Sequence, residues 1–372
     1  MRYMGELRPE TGRKVRKALL PAILVLVCSA ACRGPAPSGL DGFEDVKQAV
    51  LRPDGLYNVV CFDGRFEIGV SADDLVGGQV CTGDSSGGED PRPPASFLEF
   101  CQDASAKAGA RQTVAAVLAE FDARSCQEAS DFLLSEESLK LSGTGLTDLT
   151  PLAGAVQLRY LEIDGNQISD LRPLRFMTGL VYLNARQNQI SHLDGLENAG
   201  GLVRLYLDDN LLTDAGPLRG MPDLAELPLA RNRFASVESL TSLPALYELN
   251  LSGNQLRDAR GLEAHPGLRS LDLSENQLTG VAPLAGLTVL KNLNLARNSI
   301  NDLLPVAGLT ELLYLYIDSN PVRDLSPLSE MQKLVFLSAA ELPLGTEVAR
   351  TPANCPVDAG VAAPLRNWCL LR

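Results

Sequence analysis

The sequence predicts an α/β repeat solenoid, a curved rod with a parallel concave β-sheet and short 3₁₀ or extended turns on its convex side. Three observations carry this. Leu158, Leu180, Leu202, Leu224, Leu246, Leu268, Leu290, Leu312 and Leu334 recur every 22 residues without a gap. Three positions on, Leu161, Leu183, Leu205, Leu227, Leu249, Leu271, Leu293, Leu315 and Leu337 repeat in the same phase. An asparagine column follows at Asn166, Asn188, Asn210, Asn232, Asn254, Asn276, Asn298 and Asn320.

Each column has a physical reason. Leu161, Ile163 and their equivalents alternate along a short strand and point inward. The next apolar column (Ile168, Ile190, Leu212, Phe234, Leu256, Leu278, Ile300, Val322) turns inward after the asparagine. There the chain leaves the sheet and its backbone amides lack strand partners. A buried asparagine offers donors and an acceptor to satisfy them, so a ladder of side-chain amides is expected. Asp-Leu-x-Pro-Leu segments, such as Asp170 to Leu174 and Asp324 to Leu328, return along the convex side. Proline there favours short turns over a full helix. No unit can bury its own apolar face, so stability comes from stacking. Ten strands spaced ~4.8 Å apart predict a rod roughly 45–50 Å long. Pro228, between Leu227 and Leu229, removes one ladder donor and predicts a weak point.

The unit, LxxLxLxxNxIxDLxPL, resembles a leucine-rich repeat of the 22-residue class found in internalins. The resemblance covers about residues 130–345. The opening unit is degenerate, with Leu139, Leu141, Leu146, Leu149, Pro151 and Leu152, and Thr144 in place of asparagine. The last unit loses the asparagine column at Leu342.

Residues 1–31 read as an export signal. A basic segment (Arg2, Arg8, Arg13, Lys14, Arg16, Lys17) precedes an apolar stretch, Ala18 to Val27, that is too short to span a bilayer. Ser29-Ala30-Ala31-Cys32 resembles the lipobox of bacterial lipoproteins, although Ser29 stands where that family prefers leucine. The resemblance implies cleavage before Cys32 and lipidation of its thiol. Residues 32–41 would then be the lipidated cysteine and its Pro-rich tether. Cleavage after Ala30 or Ala31, giving a soluble secreted protein, is the alternative. Arg33 stands where an aspartate retains Gram-negative lipoproteins in the inner membrane, so the resemblance implies outer-membrane sorting.

Residues 42–81 read as a small disulfide-linked β unit, with strands Tyr57 to Phe62 and Arg65 to Val70 around Asp63-Gly64. Whether this unit is an independent functional domain stays open. Residues 82–95 are a Gly/Ser/Pro-rich linker. Residues 96–135 carry helical spacing, as in Val114, Val117, Leu118 and Phe121, and serve as a helical N-terminal cap. The solenoid occupies 136–345 and a C-terminal cap 346–372.

Of eight cysteines, Cys28 leaves with the signal and Cys32 takes the lipid. The remaining six fit an oxidising compartment. Local pairing is the simplest of the fifteen possible arrangements: Cys61–Cys81, Cys101–Cys126 and Cys355–Cys369, the last stapling the C-terminal cap. No CxxC spacing points to a metal.

The formal charge is −13 over 372 residues, and a body that acidic repels nucleic acid. No phosphate-binding loop, metalloprotease helix or nucleophile elbow occurs, so neither catalysis nor a cofactor is expected. His192 and His265 are read as surface residues, and Asp208-Asp209-Asn210 as a solvated acidic patch rather than a calcium site.

The exposed side of the sheet is the informative surface. Five of eight tyrosines fall there, Tyr160, Tyr182 and Tyr206 near the start, and Tyr314 and Tyr316, with Phe336, near the finish. Aromatics with a polar tip make binding anchors. Candidate ligand-binding residues are these six with Arg186, Asp208, Glu226, Glu248, Asp272 and Asp318. The expected function is non-enzymatic recognition of a protein ligand by an envelope lipoprotein. The alternative is a structural or scaffolding envelope protein that binds peptidoglycan or another carbohydrate.

Overall fold

The computed structural model describes residues 96–342 and 362–371, and the backbone of 46–51, 57–61 and 66–70. Two compact units separate. The first contains a three-stranded sheet of β1 (Val46–Leu51), β2 (Tyr57–Cys61) and β3 (Phe66–Val70) in that order. The expected hairpin is β2–β3, antiparallel with Val60 opposite Phe66. Strand β1, antiparallel to β2, was not anticipated. The segments read as an export signal and a tether lie outside the described residues, with Cys81 and Cys355, as do the side chains of Cys61 and Trp368.

The second unit begins with three helices, α1 (Phe97–Gln102), α2 (Ala108–Glu120) and α3 (Cys126–Ser135). Ser96 and Glu99 form a capping box that starts α1, and Ser125 accepts from the Glu128 amide to start α3. Cys101 and Cys126 are disulfide-bonded, tying α1 to α3. The helices bury Phe97, Val114, Val117, Ala129 and Leu133 on the first core layer. The Thr113 hydroxyl donates to the carbonyl of Asp148 and fixes α2 to the first convex turn.

The solenoid follows as ten three-residue strands: β4 (Ser138–Lys140), β5 (Tyr160–Glu162), β6 (Tyr182–Asn184), β7 (Arg204–Tyr206), β8 (Glu226–Pro228), β9 (Glu248–Asn250), β10 (Ser270–Asp272), β11 (Asn292–Asn294), β12 (Tyr314–Tyr316) and β13 (Phe336–Ser338). They form one parallel sheet in sequence order, each leucine beside the leucine one repeat away, as in Leu271 with Leu293. The β7–β8 pair departs from this. Its register is limited to Arg204 with Glu226, because Pro228 has no N–H to donate. At the far end, α4 (Ala363–Leu371) buries Leu365 and Cys369 in the continuous core.

The asparagine ladder is present. Asn188 Nδ2 lies 2.9, 3.1 and 3.0 Å from the carbonyls of Ile163, Ala185 and Arg186, and its Oδ1 accepts the N–H of Ile168, in the preceding repeat, at 3.0 Å. The same set recurs from Asn166 to Asn320, closing the turn of one repeat onto the next. Thr144, which opens the column, keeps only its bond to the Leu141 carbonyl, at 2.8 Å, and a long contact to Asn166. The residue before each asparagine is left-handed, from φ 51° at Arg231 to φ 67° at Gly165. Asparagine can reach three carbonyls because the backbone curls there.

Two forms recur among the convex returns, and the turn Ala282–Gly286, preceded by Gly280, has neither. In most, an Asp or Ser side chain accepts the amide two residues on and starts a 3₁₀ turn, as Asp170 does for Arg172 at 2.9 Å. In the other, a Gly-Leu-Glu sequence replaces the proline. The Glu197 carboxylate accepts from Gly195 N at 2.7 Å, and Glu263 accepts from Gly261 N at 2.8 Å. Both glycines sit near φ +103° or +104°, and a Cβ on Gly195 would fall 2.3 Å from the Leu171 carbonyl oxygen.

Candidate ligand-binding face

Side chains at the first and third positions of each strand face away from the core and line the exposed side of the sheet. The twelve candidates do not form one continuous patch. They divide into a bonded cluster at the N-terminal end and an open one at the C-terminal end.

At the N-terminal end the tyrosines stack in series. Tyr160 and Tyr182 have ring centroids 6.4 Å apart, and Tyr182 meets Tyr206 edge-on at 5.4 Å. The Arg186 guanidinium lies 4.3 Å over the Tyr206 ring and pairs with Asp208. Lys140 pairs with Glu162 at 2.9 Å, which raises the lysine's pKa.

Glu226 is the hub. Its carboxylate accepts from the Tyr206 hydroxyl at 2.7 Å and the Tyr247 hydroxyl at 2.5 Å, with Arg204 3.4 Å away. Burial, then this carboxylate, raises the Tyr206 phenol well above its ordinary range. The hydrogen bond to Glu226, then burial, pushes Tyr247 up to about 12. Burial and the neighbouring Glu226 also raise the Glu248 carboxyl.

Tyr247 is absent from the expected set. It stands one position before the strand's first residue, in a column that otherwise holds only aliphatic and charged residues, from Glu137 and Arg159 to Leu313 and Val335. A lone aromatic in that column was the available signal.

Two expectations are corrected, and one further candidate, Asp318, proves to be bonded within the sheet. Asp208 is not part of a solvated patch; it is 7% exposed, pairs with Arg186 and accepts the Ala230 amide. Asp209 beside it pairs with Arg231. His265 is not a surface residue; it is 3% exposed and inside the convex core. Asp318 likewise accepts the Ala340 amide at 2.6 Å and the Ser338 hydroxyl at 2.7 Å, so it braces the sheet rather than facing solvent freely. His192 is exposed as expected.

The C-terminal cluster is less committed. Tyr316 and Phe336 rings are 5.2 Å apart, Tyr314 is 41% exposed and Phe336 44%. Neither the Tyr314 nor the Tyr316 hydroxyl meets a hydrogen-bond partner among the described residues. Beside them lies an open depression of about 370 Å³ lined by Ser270, Asp272, Asn292, Asn294, Tyr314 and Tyr316. Asp272 is held by Ser274 and by Asn294 Nδ2 at 3.0 Å, whereas Asn292 is exposed. Among the described residues no group of three His, Cys, Asp or Glu side chains is arranged to hold a metal ion. No described helix is long and apolar enough to cross a membrane.

Comparison with known proteins agrees with this architecture. Family models for leucine-rich repeats match residues 200–256 and, as two copies, 266–308. An internalin of Listeria monocytogenes has a similar solved structure, with 25% identity and a TM-score of 0.54 over 67% of this chain and 78% of that one. A leucine-rich-repeat protein of Leptospira interrogans superposes with a TM-score of 0.50 at 22% identity, over 58% of this chain and 63% of its own. No curated protein matches this chain. The chain carries leucine-rich repeats, and its second unit is a leucine-rich-repeat solenoid capped by helices.

Proposed function

We propose that this leucine-rich-repeat solenoid is a non-catalytic recognition module for a protein ligand, exported and held at the bacterial envelope by a lipid on Cys32. The observation that carries the reading is the contrast between the two aromatic clusters. At the N-terminal end, Tyr206 and Tyr247 are bonded to Glu226 and Arg186 is tied to Asp208. At the C-terminal end, Tyr314 and Tyr316 border an open depression, with the Phe336 ring against Tyr316, and the two hydroxyls meet no hydrogen-bond partner among the described residues. Aromatic side chains that present a ring and an unbonded hydroxyl form anchors at low entropic cost. The ligand surface that fits is partly apolar, with hydrogen-bonding groups for the exposed Asn292 amide and the two tyrosine hydroxyls.

The envelope assignment rests on the export segment and the Cys32 lipobox resemblance, with outer-membrane sorting from Arg33. A second reading has its own support. Tyrosine rings beside Asn292 and Asn294 also suit stacking and hydrogen bonding to a sugar. The test is paired capture from envelope extracts with full-length protein and a Tyr314→Ala, Tyr316→Ala, Phe336→Ala variant of equal thermal stability. A protein held by the first and lost by the second supports recognition through this cluster. Retention by both moves the site elsewhere. Salt-resistant binding to a polysaccharide array, lost in the variant, favours the sugar reading.

A further inference from the structure

We infer that His265 makes the middle of the solenoid an acid-sensitive joint. Its position is the first indication. In the other repeats this convex core column holds Ala155, Met177, Ala199, Met221, Leu243, Leu287, Leu309 and Met331, all at most 3% exposed. His265 alone puts an ionisable ring into that apolar stack, between Leu243 and Leu287, and is itself 3% exposed.

The ring's bonding fixes the consequence. Nδ1 lies 3.2 Å from the Leu243 carbonyl, so Nδ1 carries the proton and donates. Nε2 is buried and meets no partner at bonding geometry. A second proton would place a buried N–H⁺ there with no acceptor at bonding geometry among the described residues. Burial lowers the ring's affinity for that proton and outweighs the Leu243 and Leu240 carbonyls and Glu263, which favour it.

The surrounding charges offer no rescue. On its own turn, the Glu263 carboxylate is bonded to Gly261 N. On the preceding convex turn, Glu238 is exposed, and Arg260 interacts with both glutamates and with Asp258. The segment carrying Leu243, from Thr241 to Leu246, has no ionisable residue, nor has the following turn, Ala282–Gly286.

The folded ring therefore binds a proton less readily than the unfolded one, whose pKa is 6.5. Stability from the neutral ring is complete above that value and falls as pH drops below it. The Nδ1 bond to Leu243 O ties this turn to the preceding repeat, and the backbone bonds His265 N to Leu262 O and Leu268 N to His265 O close the turn itself, so opening there loosens one convex turn from its neighbour.

The experiment is amide hydrogen exchange on the disulfide-intact full chain between pH 7.5 and 5, corrected for intrinsic rates. His265→Leu and His265→Gln serve as two neutral replacements. In the native protein, protection of residues 262–268 is expected to fall by up to about tenfold per pH unit below 6.5 until the folded ring protonates. Both variants are expected to hold constant protection over that range. The same loss in native protein and variants overturns the proposal. So does an NMR titration in which the His265 ring protonates at the unfolded chain's 6.5.

Discussion

Asp208 Oδ1 accepts the backbone N–H of Ala230, one repeat away, at 2.9 Å. In four repeats the amide at that position is satisfied locally, by Asn184, Asn250, Asp272 or Asn294 two residues earlier. Before Ala230 the residue two earlier is Pro228, which has no acceptor side chain. Asp208 reaches across from the preceding strand and fills the role. Asp318 does the same for Ala340, where Ser338 donates its hydroxyl instead of accepting. The repeat that proline weakens is thus braced from its neighbour.

Asp208→Ala should leave a buried amide without an acceptor and Arg186 without its partner, lowering stability by about 1–3 kcal/mol. Asp208→Asn keeps an acceptor and should cost less. Urea unfolding of the two variants measures the difference. Equal losses would show that the ion pair, not the amide bond, matters.

Asn254 binds the carbonyls of Leu229, Leu251 and Ser252, and accepts the Phe234 amide at 3.0 Å. Asn254→Ala removes all four bonds in the centre of the stack. The expected loss is on the order of 3 kcal/mol, because several buried groups are left unsatisfied together. Thr144→Ala, which removes one good bond at the edge of the column, should cost about 1 kcal/mol. A comparable loss at both sites in denaturant titration would contradict the ladder's role.

Two glycines separate strain from crowding. Gly220 has φ +82° with open space around its Cβ direction, while Gly195 has φ +103° and the Leu171 carbonyl in the way. Gly220→Ala should cost about 1–2 kcal/mol, the left-handed penalty alone. Gly195→Ala adds a backbone clash and should lower the melting temperature several-fold further.

The two tyrosines on Glu226 should ionise late. A raised folded pKa means the neutral phenol's contribution is complete below the ordinary value of 10.0 and disappears as pH rises through about 12 for Tyr247. Ultraviolet titration of phenolate should resolve a late-ionising group. Glu226→Gln, which removes the charge, should move that group back toward 10. An unchanged titration would mean Glu226 does not hold these hydroxyls in solution.

The columns of Leu161, Ile163 and Asn166 were legible because each position repeats one physical task, and the strands and ladder fall where the spacing puts them. The candidate site was legible only as a face. Which acids remain available depends on partners 20 to 22 residues away, as with Glu226 and Asp208, and a single repeat does not reveal them. His265 looked like a surface residue because its turn, Glu263 to Pro266, reads as polar. Counting one period either way reaches Leu243 and Leu287, which marks the position as core. Strand β1 also had a signal, the Pro53-Asp54-Gly55 turn signature before Tyr57.

The unbroken phase has a metric consequence. Tyr182 on β6 and Tyr314 on β12 stand six strands apart, so their separation along the sheet is a whole number of strand spacings, about 29 Å at ~4.8 Å each. Gain or loss of one 22-residue unit between them would shift that distance by a single step and leave each aromatic group on the same face. The solenoid is a ruler whose graduations are its repeats, and the gap between its two tyrosine groups is set by counting.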